Sequence, residues 1–255
     1  MKILISDKFP AEGLKLFEEA GDFQVDYQPG LSTDELLQAV QDVDALVVRS
    51  GTQITEEVFA VARNLKAIGR AGVGTDNIDL EAANRKGVVV MHTPFGSTTT
   101  TAEHTIALLM ALARQIPAAC TSTKNGQWET ERYYGVEIAG KTLGVVGAGK
   151  IGRLVIERAR ALKMKAVVYD PHLAGETIRL LGAEQVELDE LLARSDFITL
   201  HTPLNTETRN FINAETLADM KPGSYIINCA TGGLIDEGAL AEALESGHIA
   251  GAALD

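Results

Sequence analysis

The fold is decided by one stretch of the chain, Thr142-Leu143-Gly144-Val145-Val146-Gly147-Ala148-Gly149-Lys150-Ile151-Gly152. Its first five residues predict a buried strand, and a helical pattern follows at Ile151–Leu162. Between them, Gly147 permits a tight turn, Gly149 lets the backbone approach a phosphate, and Gly152 permits close contact between helix and strand. Because the free N–H groups at the start of such a helix attract anions, the pattern predicts a turn that binds the pyrophosphate of a dinucleotide.

The residue after the next predicted strand supports this interpretation. Asp170 follows Lys165–Tyr169, at about the 20-residue spacing from the glycines that is typical of a dinucleotide-binding unit. A carboxylate there accepts hydrogen bonds from the ribose hydroxyls and repels a 2′-phosphate. Because Pro171 and His172 follow it, and not an arginine, the sequence favours NAD over NADP as the cofactor.

Strands and helical patterns alternate on both sides of this motif, which indicates parallel strands joined by crossover helices. The strands predicted before the motif are Lys2–Ser6, Val43–Arg49, Lys66–Gly69 and Val88–Met91. Six more are predicted from the motif onward, the number in a complete dinucleotide-binding sheet: Thr142–Val146, Lys165–Tyr169, Gln185–Glu187, Phe197–Leu200, Ser224–Asn228 and Ile249–Leu254.

A turn-rich segment, His92–Ser97, separates the two arrays. We therefore expect an α/β protein of two domains with parallel sheets: a flavodoxin-like substrate domain at residues 1–97 and a Rossmann domain at residues 98–255. A long helix, Thr98–Ile116, is predicted to open the second domain and to end at Pro117. The following stretch, 124–140, is interpreted as a surface connection anchored by its aromatic residues.

Composition excludes several classes of function. The chain has 23 basic and 35 acidic residues, a net charge of −12, which disfavours nucleic acid as a partner. Its longest apolar run is far shorter than the roughly 20 residues of a membrane span, and its start is too short and too charged for a secretory signal, so we expect a cytoplasmic protein. The two cysteines, Cys120 and Cys229, are expected to be reduced and mostly buried, and the histidine spacing predicts no metal site.

Several motifs in order resemble those of the NAD-dependent D-2-hydroxyacid dehydrogenases. They extend over essentially the whole chain and comprise Arg49–Thr52, Gly69–Asp79, Gly147–Gly152, His201–Leu204 and Gly232–Glu237. The resemblance implies oxidation of a phosphorylated 2-hydroxy acid, 3-phosphoglycerate, to 3-phosphohydroxypyruvate, the first step of serine biosynthesis. It also implies a homodimer or homotetramer assembled through the cofactor domain, with the long helix and the aromatic segment as interface candidates.

The resemblance further implies roles for individual residues. For the cofactor, it implies binding by Gly147, Gly149, Lys150, Ile151, Gly152 and Asp170, by Thr202 and Pro203 at the adenosine, and by Cys229, Ala230, Thr231 and Asp255 along the nicotinamide half. For the substrate, it implies that the backbone of Val73 and Gly74 holds the carboxylate, and that Arg49, with Ser50 beside it, and Arg70 meet the phosphate.

The sequence departs from the family in its catalytic residues. Hydride transfer to a keto acid needs a cation, an acid–base group and a carboxylate that tunes it, which in this family are Arg, His and Glu. Thr231 occupies the arginine position, and the family's Glu and His lie beyond a point that matches Asp255. We therefore expect a fragment that binds NAD(H) but turns over slowly or not at all, with an incomplete first domain that exposes an apolar face.

Two alternatives stay open. The first is a dehydrogenase or reductase of another D-2-hydroxy acid, such as glyoxylate or lactate, because the arginines favour a phosphorylated substrate only weakly. The second is a non-catalytic, NAD-sensing protein on the same fold, which the uncharged Thr231 would suit.

Overall fold

The computed structural model describes all residues from Met1 to Asp255. The chain divides into two compact units, Met1–Ser97 (unit 1) and Thr98–Asp255 (unit 2). Each unit contains one sheet, and all of the paired strands in both sheets are parallel. This confirms the α/β class that the alternating patterns predict.

Unit 1 is a five-stranded sheet in the order β2-β1-β3-β4-β5, the flavodoxin-like order. Its strands are β1 (Lys2–Ile5), β2 (Gln24–Tyr27), β3 (Ala45–Val48), β4 (Ala67–Arg70) and β5 (Val89–His92), and its helices are α1 (Ala11–Glu19), α2 (Thr33–Ala39), α3 (Glu56–Val61) and α4 (Leu80–Lys86). Local chemistry fixes some of these ends. Ser32 and Glu35 form a capping box at the start of α2, and Gly87, with a φ of 68°, ends α4.

Strand β2 was not predicted from the sequence. It is an edge strand with no fully buried residue, so it lacks the apolar alternation by which strands are detected. The opposite edge is exposed as well, since Val89 and Met91 of β5 are both more than half accessible to solvent. The unit's larger apolar cluster lies on the face covered by α2, α3 and α4, around Leu46 and Ile68.

Unit 2 is a six-stranded sheet in the order β11-β10-β9-β6-β7-β8, the arrangement of a complete Rossmann fold. Its strands are β6 (Thr142–Val146), β7 (Lys165–Tyr169), β8 (Glu184–Gln185), β9 (Phe197–Leu200), β10 (Ser224–Asn228) and β11 (Ile249–Leu254). Its helices are α5 (Thr98–Ala113), α6 (Ile116–Lys124), α7 (Lys150–Ala161), α8 (Gly175–Leu180), α9 (Leu188–Arg194), α10 (Ala214–Asp219) and α11 (Glu237–Glu245). Five of the six predicted strands have the predicted bounds, and the weak strand predicted at Gln185–Glu187 overlaps β8 only at Gln185.

The long helix differs from the prediction at its end. Helix α5 stops at Ala113, and Gln115 turns the chain with a φ of 51°. Pro117 lies in the first turn of a second helix, α6, which the sequence analysis missed. Proline at this position starts a helix, because the N–H that it lacks would have no partner there. Pro117 was therefore wrongly interpreted as a terminator.

Two of the three aromatic residues after α6 do not anchor the connecting segment. Trp128 is 82% exposed and Tyr134 is 73% exposed, so the prediction is wrong for these two, whereas Tyr133 is partly buried. Cys120, on α6, is also exposed, whereas Cys229 is buried.

No single helix is both long and apolar enough to span a bilayer. Taken together, α5 and α6 have the length and apolar composition of a span, but the chain bends by 61° between the two helices.

Helix α5 packs its inner face into the core of unit 2. Ala102, Leu109 and Ala113 are buried there, in one cluster with Val155 and Ile156 of α7. The aromatic rings of Phe197 and Tyr225 stack in the same region, with centroids 4.8 Å apart. At least this face of α5 is therefore occupied within the chain.

We predict that Leu109→Ala destabilises unit 2 by about 3 kcal/mol, because Leu109 is fully buried and its truncation leaves a cavity. The matched control is Leu180→Ala on α8, where the leucine is 83% exposed, and it should cost less than about 0.5 kcal/mol. Denaturant unfolding monitored in the far-ultraviolet measures both. Equal losses in the two variants would contradict the assignment of α5 to the core.

Candidate cofactor and substrate sites

The glycine turn after β6 has the geometry that its sequence predicts. Gly147 has a φ of 89°, and a Cβ on it would lie 2.7 Å from the carbonyl oxygen of His201. A Cβ on Gly152 would overlap the carbonyl oxygen of Gly147. Both positions therefore need glycine for reasons internal to the fold, since a side chain would push β6, β9 and α7 apart.

Gly149 differs from its two neighbours, because a Cβ there would meet no atom within 4 Å. It is also the N-terminal cap of α7 and has no side chain to satisfy that helix's first N–H groups. The fold itself does not require glycine here. An open space in front of a helix N-terminus instead suits an approaching anion, and the pyrophosphate of a dinucleotide fits it.

Two charged side chains hold Ala148, the middle residue of the turn. Asp170, buried at the end of β7, accepts a hydrogen bond from the Ala148 N–H at 2.9 Å. Arg153, in the first turn of α7, donates from Nε to the Ala148 carbonyl oxygen at 3.0 Å. The other carboxylate oxygen of Asp170 accepts from the His172 N–H at 2.9 Å. Asp170 thus supports the turn in addition to being the predicted ribose partner. The sequence did not reveal this supporting role, and it did not reveal that Arg153 also holds the turn.

The loop after β9 lies against the same turn. The His201 N–H donates to the Val146 carbonyl oxygen at 2.8 Å, and Thr202 and Pro203 follow it. The Pro203 carbonyl oxygen accepts from the Thr208 hydroxyl at 2.6 Å. The His201 ring bonds through Nε2 to the Thr199 hydroxyl at 3.0 Å, whereas its Nδ1 is buried and has no partner. These bonds fix the loop that the resemblance places at the adenosine.

The turn after β10 is organised by Asn228. Its side-chain Oδ1 accepts from the Ala230 N–H, and its Nδ2 donates to the Thr231 carbonyl oxygen, both at 3.0 Å. Its backbone carbonyl accepts from the Asp255 N–H at 3.0 Å. Asn228 therefore brings together the residues predicted for the nicotinamide half. Burial raises the pKa of the neighbouring Cys229 thiol, so this thiol stays protonated at neutral pH.

In unit 1, the loop after β4 presents backbone N–H groups. The N–H groups of Val73 and Gly74 donate no hydrogen bond within the chain, and Gly74 is exposed. The carbonyl oxygen of Val73 lies 2.8 Å from His92 Nδ1, and that of Gly72 accepts from the Thr93 N–H at 3.1 Å. The loop is held through its carbonyl groups, which leaves its N–H groups for an anion such as a carboxylate.

Arg70 supports this loop from inside. Its side chain is only 7% exposed, and its guanidinium donates to Asn77 Oδ1 at 2.6 Å, to the Gly74 carbonyl oxygen and to Asp76. Asn77 in turn donates to the carbonyl oxygens of Arg49 and Thr52. The expectation that Arg70 meets a substrate phosphate therefore finds no support, because its N–H groups are turned inward. We assign it a positioning role for the Val73–Gly74 loop.

Arg49 directly follows β3, and both Arg49 and Ser50 are exposed. Its backbone N–H donates to Asp7 Oδ2 at 2.6 Å, and the Thr52 N–H donates to the same oxygen at 3.2 Å. Asp7 thus fixes the backbone of this turn. Arg49 and Gly72 line one cleft of about 570 Å³ in unit 1.

Comparison with known proteins identifies the family of this chain. Residues 106–255 match the model of the NAD-binding domain of the D-isomer specific 2-hydroxyacid dehydrogenases. The chain belongs to this family. Its unit 2 is the family's NAD-binding domain, which confirms NAD as the cofactor that the glycine turn and Asp170 predict.

Curated relatives match along the whole chain. The D-3-phosphoglycerate dehydrogenase of Methanocaldococcus jannaschii is 49% identical over 256 residues, and those of Rattus norvegicus and Homo sapiens are 48% and 46% identical over 254 residues. Each alignment covers all of this chain and 48% of the relative. The chain therefore spans about half the length of the curated relatives that it matches.

Solved structures of the family share the fold. A D-lactate dehydrogenase from Aquifex aeolicus, in complex with NAD and lactic acid, is 31% identical with a TM-score of 0.91 and is covered to 76%. A glyoxylate reductase from Paecilomyes thermophila is 32% identical with a TM-score of 0.90 and is covered to 81%. Both alignments cover all of this chain. Family membership therefore leaves the choice among 2-hydroxy acids open.

The roles of the glycines can be separated by two substitutions. We predict that Gly149→Ala leaves the melting temperature unchanged and weakens NADH binding at least tenfold, because its methyl group enters the space that suits the pyrophosphate. Gly147→Ala should instead lower the melting temperature, since its φ and the His201 carbonyl group oppose a side chain. Thermal melts and NADH fluorescence titrations test both. Undiminished NADH binding by Gly149→Ala would show that the pyrophosphate lies elsewhere.

His201 should make unit 2 sensitive to acid. Burial lowers the pKa of His201 from 6.5 to about 4, so between these pH values the unfolded chain binds a proton that the folded chain does not. Stability is therefore lost as the pH falls from 6.5 towards 4, by up to about 3 kcal/mol from this group. Denaturant unfolding at a series of pH values should show a shallower decline for His201→Gln. Parallel pH profiles for the two proteins would contradict the assignment.

Proposed function

We propose that this protein belongs to an NAD-dependent D-3-phosphoglycerate dehydrogenase, which oxidises 3-phospho-D-glycerate to 3-phosphohydroxypyruvate in serine biosynthesis. The observation that carries the proposal is the exposed Arg49 in the cleft of unit 1, together with the loop that follows the cleft residue Gly72, whose Val73 and Gly74 N–H groups are free. A guanidinium and a set of free N–H groups suit a substrate that is anionic at both ends. The names of the relatives at 46–49% identity support the same substrate.

Each unit has one task in this proposal. Unit 2 holds NAD, with Gly149 and the α7 N-terminus at the pyrophosphate, Asp170 at the ribose and the Cys229–Thr231 turn at the nicotinamide. Lys150 and Ile151 supply backbone N–H groups, Thr202 and Pro203 border the adenosine, and Asp255 lies at the carboxamide. The chemistry that NAD supplies when bound is acceptance of a hydride from C2 of the hydroxy acid.

Unit 1 binds and orients the substrate. The N–H groups of Val73 and Gly74 would hold its carboxylate, and the Arg49 guanidinium would meet its phosphate, with Ser50 beside it. Burial of Arg70 keeps the loop in place. We further propose a cytoplasmic homodimer or homotetramer assembled through unit 2, in which the exposed aromatic segment with Trp128 and Tyr134 is an interface candidate.

Catalysis by this chain is impaired in our proposal, because Thr231 stands where the family's arginine polarises the substrate carbonyl. A threonine hydroxyl carries no charge and cannot make a bidentate contact with a carboxylate. The same observation favours a second candidate, a non-catalytic protein that binds NAD(H) as a sensor. A different D-2-hydroxy acid, such as lactate or glyoxylate, is the alternative substrate.

The rate of NADH formation distinguishes these proposals. In the longest chain that the reading frame encodes, Thr231→Arg should raise the rate with 3-phosphoglycerate by at least a hundredfold, because it restores a charge that acts mainly in the transition state. Thr123→Arg on α6 is the matched control and should change nothing. D-lactate should give lower rates than 3-phosphoglycerate in every variant.

Other results would contradict the proposal in distinct ways. A normal turnover of the unsubstituted protein would remove the argument from Thr231. No gain from Thr231→Arg, together with intact NADH binding, would favour the sensor. A higher rate with D-lactate than with 3-phosphoglycerate would overturn the phosphorylated substrate.

A further inference from the structure

The cleft in unit 1 has a second cationic side chain that the sequence analysis did not consider. Its lining residues come from the four loops that follow β1, β3, β4 and β5, and they include Lys8, Phe9, Arg49, Gly72 and Thr93. Lys8 follows β1 and Arg49 follows β3, and these strands are neighbours in the sheet. Both residues line the same cleft, and the Arg49 guanidinium donates from Nη1 to the Lys8 carbonyl oxygen at 3.5 Å. Gly72 leads into the loop that presents free N–H groups.

The loop that carries Lys8 is fixed by its neighbour Phe9. The Phe9 N–H donates to the Tyr27 hydroxyl at 3.3 Å, and its ring packs edge-on against Phe17 of α1, with centroids 6.4 Å apart. The same ring lies over Gly13, where a Cβ would be 2.5 Å from it. Glycine is a poor helix former, and its presence in α1 makes room for Phe9. The backbone of Lys8 is thus held at the cleft.

The charges in the cleft are not neutralised by ion pairs. Lys8 and Arg49 form no ion pair, unlike Lys15, Lys66 and Arg85, which contact carboxylates elsewhere in unit 1. Lys2, Arg63 and Lys86 are also without an ion pair, but they do not line the cleft. The nearby carboxylate of Asp7 accepts from the backbone N–H groups of Arg49 and Thr52 and keeps its negative charge. In a chain with a net charge of −12, two unpaired cations beside one carboxylate still leave a locally positive site.

We propose that Lys8 is a specificity-determining residue, whose ammonium group binds the phosphate of the substrate together with the Arg49 guanidinium. This inference rests on the proposed function, and it assigns the phosphate to Lys8 and Arg49 in the cleft and the carboxylate to the Val73–Gly74 loop that follows the cleft residue Gly72. A lysine acts as a compact point charge beside the fork of an arginine, and the two together suit a dianionic phosphate. An unphosphorylated hydroxy acid would gain nothing from Lys8.

The test compares the binding of two ligands that differ only in the phosphate, 3-phosphoglycerate and D-glycerate. Isothermal titration of the 255-residue chain, saturated with NADH, measures both without requiring turnover. The variants are Lys8→Met, which keeps length and removes charge, Lys8→Arg, which keeps charge, and Lys86→Met on α4 as a matched control outside the cleft. We expect Lys8→Met to bind 3-phosphoglycerate at least tenfold more weakly, with D-glycerate binding unchanged and with Lys8→Arg and Lys86→Met close to the original protein.

Other outcomes separate the inference from the proposed function. If the original protein prefers 3-phosphoglycerate and Lys8→Met retains that preference, the role of Lys8 is refuted and the proposed function stands. If the original protein binds both ligands equally, or neither, both the proposal of a phosphorylated substrate and the proposed role of Lys8 are refuted. If Lys8→Met weakens both ligands alike, Lys8 shapes the cleft and does not select the phosphate, which also refutes the inference.

Discussion

The close contact between Gly152 and the Gly147 carbonyl group is the constraint on which unit 2 depends. It lets β6 pass into α7 with no side chain between them, so the N-terminus of the helix faces the carboxyl edge of the sheet. The loops after β7, β9 and β10 end at that same edge, which is where ligands bind in open α/β sheets. The order of the strands and the shape of the turn therefore place the cofactor residues together before any of them contacts a ligand.

Both units use charged side chains to hold a loop whose backbone faces the ligand. In unit 2, Asp170 accepts from the N–H group of Ala148, and Arg153 donates to its carbonyl group. In unit 1, Arg70 donates to the carbonyl group of Gly74 and to the side chain of Asn77. Removing one of these side chains leaves a backbone group of the loop without its hydrogen-bond partner, which costs roughly 1–3 kcal/mol where that group is buried. The anion-binding groups are thus N–H groups on rigid loops, whose positions do not depend on flexible side chains.

The sequence predicts the fold well where burial leaves a pattern. The central strands of unit 2 are predicted because they are continuous apolar runs. The glycines and Asp170 are predicted because they stand at a fixed spacing. The edge strand β2 is missed because half-exposed residues such as Gln24 and Asp26 carry no alternation. Helix α6 is missed because Pro117 is compatible with both the end and the start of a helix, and only the backbone of Gln115 decides between them.

Site residues are harder to predict because the type of a residue does not tell whether its side chain faces the solvent or the interior. Arg49 follows β3 and Arg70 ends β4, and these strands are neighbours in the sheet. Arg49 is nevertheless exposed, whereas the Arg70 guanidinium donates its hydrogen bonds to Asn77, Gly74 and Asp76. Lys8 lies between a strand and a helix with no motif of its own. Its significance depends on the packing of Phe9 over Gly13, a contact that sequence spacing alone does not reveal.

The double attachment of Asp170 limits how the cofactor preference of this protein could be re-engineered. Replacing an acidic residue at this position is the obvious route to accepting a 2′-phosphate. Here the same carboxylate ties the N–H of Ala148 to that of His172, so its removal also loosens the turn that receives the pyrophosphate. Selectivity and affinity are therefore coupled through one side chain, and a successful redesign needs a compensating acceptor for Ala148 as well as a new cation.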